Sequence, residues 1–136
     1  MAEDQNQMTG GIAPHLTIRE GEGSNAVEFY KQAFGAEELG RHLAEDGKRL
    51  MHAHLLINGG HLMLNDDFPE WTGGVAAPAA VTIHIQTDDA DQWWERAVAA
   101  GAAVRMPLAD QFWGARYGQL DDPFGHRWSI GGPVKG

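Results

Sequence analysis

The chain has no cysteine among its 136 residues, which excludes disulfides and thiolate metal sites. It has few bases: ten Lys and Arg stand against nineteen Asp and Glu, for a formal net charge of −9. Nucleic-acid phosphates need clustered Lys and Arg, so that partner is excluded; a small cation would be drawn to the same charge. No apolar run approaches the roughly 18 residues of a membrane helix, so no membrane partner is expected. The opening residues, "MAEDQNQMTGG", lack a basic region followed by an apolar stretch, so no signal peptide is read there. Residues 1–12 read as a flexible tail, and a cytoplasmic location is expected. No GxGxxG follows a strand, no P-loop occurs, and no nucleophile turn accompanies the scattered histidines and acids. No cofactor is therefore expected.

What is present is ordinary for one soluble domain: 43% hydrophobic and 21% charged residues. A strand over His15–Ile18 leads through "EGEGSN" to a helix in which Ala26, Phe29, Tyr30 and Phe34 form a buried stripe. Ser24 or Asn25 is expected to cap that helix, and Gly35 to end it. "ELGRHLAE" and "RLMHAHLLI" read as a hairpin turning at Asp46-Gly47, and "HLMLN" as a fourth strand after "NGG". The second half repeats the order. "AVTIHIQ" is a strand and "DDADQWWERAVAAGA" a helix, with Trp94, Val98 and Ala90 on its buried side. "AAVRMPL", "RYGQLDD" and "HRWSI" are strands, the last two joined by the turn Asp122-Pro123-Phe124-Gly125. Gly35 and Gly101, which end the two helices, lie 66 residues apart, and His61 and His126 lie 65 apart. A β-α-β-β-β unit thus occurs twice. The expected fold is α+β: two such units, about 13–66 and 79–133, in one domain over 13–133. They form a curled mixed sheet around a cavity, with helices on the outer face.

Two stretches carry a family resemblance: "HLTIREGEGSNAVEFYKQAFG" and "MPLADQFWGARYGQLDDPFGHRW". Through them the chain resembles the vicinal oxygen chelate superfamily (glyoxalase, bleomycin resistance and dioxygenase proteins). The second stretch looks like its PhnB-like branch. The resemblance implies a homodimer. It also implies four metal-ligand positions, which fall on His15, on Thr82, on Leu64 or Met63, and on Ser129. Only His15 is a ligand of strength, because a serine hydroxyl is neutral and a poor donor to a divalent cation. No metal is therefore expected in the usual place.

Alternation in "MHAHLLI" puts Met51, Ala53, Leu55 and Ile57 against the helix, and His52 and His54 on the opposite side. His15 shares a face with Thr17, and Thr82 with His84. The expected ligand-binding residues are His15, His54, Thr82, His84, Tyr117 and Ser129, with Trp113 at the mouth of the cavity. His61 and His126, beside turns, read as structural or exposed, and His42 is assigned no role. Trp128 and Trp94 read as core. The expectation is a small-molecule binding protein of the glyoxalase/bleomycin-resistance type that sequesters a planar or cationic ligand. The alternative is a metal-dependent lyase, isomerase or dioxygenase-like enzyme whose ligands are relocated to histidines such as His15, His52, His54 and His84.

Overall fold

The computed structural model describes residues 8–74 and 77–136. Residues 1–7 of the expected tail, and 75–76 of the Pro- and Ala-rich connection, lie outside the described residues. The described residues fall into two compact units, 8–31 with 35–74 and 32–34 with 77–136. The fold is α+β, and each unit has a four-stranded mixed sheet.

The first unit runs β1 (His15–Ile18), α1 (Gly23–Phe34, its last three residues falling with the second unit), β2 (Glu37–Leu43), β3 (Leu50–Ile57), β4 (Gly60–Asp66) and a short α2 (Pro69–Thr72). The sheet order is β1-β4-β3-β2, with β1 parallel to β4 and the other pairs antiparallel. Alternation buries Leu16, Ile18, Ala53, Leu55, Leu62 and Leu64 on one side. Lys31 and Glu28 of α1 form ion pairs with Glu38 and Arg41 of β2.

Neither Ser24 nor Asn25 caps α1. The N-cap is Glu22, without a side-chain cap bond, and the carboxylate of Asp66 at the end of β4 takes over the work. Its Oδ1 accepts the Gly23 amide at 2.6 Å, and its Oδ2 accepts the Leu50 amide at 2.6 Å. Asp66 is fully buried, and a Cβ at Gly23 would lie 2.9 Å from its Oδ1, so only glycine lets the helix start so close. A capping signal 43 residues away in sequence cannot be read from local spacing.

The expected apolar face of β3 shifts at its start. Leu50 is fully buried and Met51 is 42% exposed, because the β2–β3 register slips between His42 and Leu43. The β3–β4 turn is a two-residue hairpin with Asn58 at φ 50° and Gly59 at φ 80°, the left-handed pair such turns need.

The second unit runs β5 (Thr82–Gln86), α3 (Ala90–Ala100), β6 (Ala103–Asp110), β7 (Ala115–Asp121) and β8 (Arg127–Pro133), in sheet order β5-β8-β7-β6. Asp89 caps α3 by accepting the Gln92 amide at 3.1 Å. The helix buries Ala90 and Ala97, not Val98, which is 38% exposed. Trp94 packs on β7, where a Cβ at Gly118 would lie 2.6 Å from its ring. The stripe is therefore Ala90, Trp94, Ala97, one position round from the expected one. Trp128 is core, as expected: it is 1% exposed, and its ring lies 4.4 Å from that of Phe34. Asp122 fixes the preceding turn. Its Oδ1 accepts the Phe124 and His126 amides, and its Oδ2 accepts the Trp128 indole N–H at 2.9 Å.

Candidate functional site

The face of each sheet opposite its buried side carries the candidate residues. On the second sheet, His84 is paired with Ser129, and Ser129 with Gln119, so these three share one face. His84 Nε2 lies 2.8 Å from Gln86 Oε1, an oxygen that only accepts, so this nitrogen carries the proton. In the neutral ring Nδ1 then accepts from the Ser129 hydroxyl, 2.7 Å away. Ser129 is buried, and Gly131 makes room for the imidazole, since a Cβ there would lie 2.9 Å from His84 Cε1. Tyr117 stacks on His84 with centroids 5.9 Å apart and planes 20° apart. Its hydroxyl accepts from Gln119 Nε2 at 3.1 Å. Trp113 meets Tyr117 edge-on at 5.7 Å and is 51% exposed. The result is a half-open aromatic stack, Trp113–Tyr117–His84, whose histidine has both nitrogens committed.

On the first sheet, His15, Met63 and His54 are neighbours across three strands, and His42 is opposite His52. His15 donates through Nε2 to Asn65 Oδ1 at 2.5 Å, and its ring meets His52 edge-on at 6.2 Å. His54 and His61 share a hydrogen bond at 2.8 Å between Nε2 and Nδ1. With His42 and His61, five of the chain's seven histidines stand on this face. Partial burial, then the neighbouring histidines, holds His52 and His54 below the usual imidazole range, so both favour the neutral form.

The seven expected residues thus divide between the two sheets. His84, Ser129, Tyr117 and Trp113 come together; His15 and His54 belong to the histidine face. Thr82 is opposite Arg127 at the start of β5, two residues before the His84–Ser129 pair. Of the two alternatives for the first unit's late ligand position, Met63 shares the His15 row, and Leu64 is buried on the other side.

Gln86 and Gln119 are functional candidates that sequence reasoning missed; their alternation with His84 and Tyr117 was the available signal. His61, read as structural or exposed, is hydrogen-bonded to His54, and His42, assigned no role, is opposite His52 across the strands. His126 donates its backbone amide to Asp122. Among the described residues, no three His, Asp or Glu side chains converge as a metal site. No described helix is long and apolar enough to cross a membrane.

The comparisons with known proteins agree with this architecture. An uncharacterized protein of Mycobacterium bovis, Mb0911c, is 48% identical over 130 residues, which cover 91% of this chain and 84% of that protein. The crystal structure of TioX from Micromonospora sp. ML1 superposes with a TM-score of 0.70 at 27% identity, covering 91% of this chain and 100% of that one. The PhnB protein of Bacillus cereus shares the fold, with a TM-score of 0.72 at 20% identity over 90% of this chain and 99% of that one. The sequence profile of one family matches residues 12–130, and the chain belongs to that family, the Glyoxalase/Bleomycin resistance protein/Dioxygenase superfamily.

Proposed function

We propose that this chain is a small-molecule binding protein of the glyoxalase/bleomycin-resistance type, working without the metal site that its family resemblance would imply. Its ligand is planar, and by preference cationic. The observation that carries this reading is the Trp113–Tyr117–His84 stack. An imidazole that donates to Gln86 and accepts from Ser129 has no free nitrogen for general-base work; it presents a ring. A graded aromatic surface with Trp113 at its open end suits a flat ligand. The net charge of −9 raises the local concentration of cations.

Titration with a planar cationic dye such as ethidium tests the reading. Trp113 emission should be quenched saturably, and affinity should fall with added salt. Trp113→Ala should weaken binding by about 1–3 kcal/mol without lowering the melting temperature. Unchanged affinity in Trp113→Ala sinks the reading.

The histidine face of the first sheet is the one observation that favours the enzymatic alternative. One tightly held zinc, nickel, manganese or iron per chain in tag-free protein, lost in His15→Ala, would establish it. We further propose a cytoplasmic homodimer with an interface above about 1,000 Å². The exposed Trp71, stacked on Phe68, and the exposed Phe112 support it. Light scattering that gives the monomer mass at micromolar concentration rejects the dimer.

A further inference from the structure

The aromatic stack of the second sheet has a polar edge. Four side chains close a ring of neighbours there. His84 Nδ1 meets the Ser129 hydroxyl at 2.7 Å, and Ser129 is opposite Gln119 in the register of β7 on β8. Gln119 Nε2 donates to the Tyr117 hydroxyl at 3.1 Å, and the Tyr117 ring stacks back on His84. Tyr117 and Gln119 are two residues apart on β7, so both leave the sheet on its open side. Tyr117 is the shared member: its ring belongs to the stack and its hydroxyl to the polar edge.

The hydrogen-bonding capacity of this ring is unevenly used. The imidazole is fully committed, to Ser129 and to Gln86. The Ser129 hydroxyl gives its proton to His84 and is buried. Gln119 is different. Its Nε2 is held by the Tyr117 hydroxyl, which turns its Oε1 away from that group, and among the described residues no donor is bonded to this oxygen. No described side-chain oxygen or nitrogen is both buried and without a partner, so Oε1 is within reach of solvent. A half-buried carbonyl oxygen with no internal donor takes its hydrogen bond from water or from a ligand. On a face that stacks a flat cation, the group able to replace that water is an N–H on the edge of the ring. A cation that spreads its charge onto exocyclic amines makes their N–H groups stronger donors to a neutral carbonyl. Resting on the stacked-cation reading above, we infer that Gln119 is a specificity-determining residue whose Oε1 accepts from an exocyclic amine, so that the preferred ligand class is an aminated planar cation.

The test compares two dyes of one ring system and one charge by isothermal titration calorimetry. Ethidium carries exocyclic amines; 5-ethyl-6-phenylphenanthridinium carries none. The unsubstituted protein should prefer ethidium by about tenfold. Gln119→Leu keeps the bulk and removes the acceptor, so the two dyes should bind alike. Gln119→Glu retains acceptor oxygens, so the preference should survive while the added charge tightens both dyes. Trp113→Ala touches the stack alone and should weaken both dyes together. Circular dichroism checks that each variant is folded, and the comparison of dyes on the unsubstituted protein needs no variant. Equal binding of the two dyes to the unsubstituted protein overturns the assignment and leaves the stack reading standing. A preference that persists in Gln119→Leu does the same. Binding of neither dye overturns both.

Discussion

The two sheets share one plan and carry different chemistry. Each places its first strand parallel to its last, and each has the same order of antiparallel neighbours. Each also holds a buried carboxylate that accepts backbone amides, at different places in the two units. Asp66 ends β4 and ties the start of α1 to β3; Asp122 precedes β8 and ties a turn to the Trp128 indole. The open faces diverge completely: imidazoles and a thioether on one sheet, an aromatic stack on the other. The buried side must satisfy the same backbone amides and fill a similar volume in both units, whereas the open side has no such obligation.

If the buried sides are the conserved plan, breaking them should cost most. Trp128→Ala removes the largest fully buried side chain and leaves the Asp122 carboxylate without its indole donor. The expected loss is about 3–5 kcal/mol, read from urea melts followed by circular dichroism. Asp66→Asn comes next. An amide can replace one carboxylate oxygen but turns a donor toward the other buried N–H, so either Gly23 or Leu50 loses its partner. The cost should be about 2–3 kcal/mol. If Asp66→Asn melts like the unsubstituted protein, the carboxylate is not what joins α1 to β3, and the parallel with Asp122 fails.

The same contrast explains what the sequence made legible. The duplicated order of elements was readable because Gly35 and Gly101 mark two helix ends and the strands alternate. Alternation put His84 with Thr82, and the family resemblance pointed to Ser129; that His84 meets Ser129 is set by the register of β5 on β8. What could not be read depended on register. Met51 and Leu50 exchanged roles through a slip between β2 and β3, and Leu64 and Met63 differ by one residue but lie on opposite faces. The capping of α1 by Asp66 is a long-range contact with no local signature. That His61 meets His54 could not be read, because the contact comes from a neighbouring strand and a position beside a turn says nothing of it.

The smallest expected effect separates the two open faces by acid. In the unfolded chain His52 and His54 gain a proton near pH 6.5, the ordinary imidazole value. In the fold, burial and the neighbouring histidines push both below it. Between the two values the unfolded chain binds more protons than the folded one, so stability rises with pH there. The contribution of these groups is complete above about pH 6.5 and is lost as the pH falls through their folded values. Melting temperatures taken from pH 8 down to pH 5 should therefore decline on the acid side. The paired substitution His52→Gln with His54→Gln should flatten that decline without altering the curve above pH 7. Hydrogen exchange at pH 5 locates the effect, because the strain of charging these rings falls on β3 and its neighbours. If β3 amides keep their protection at pH 5 while the melting temperature drops, the acid sensitivity lies elsewhere and the histidine face is electrostatically inert.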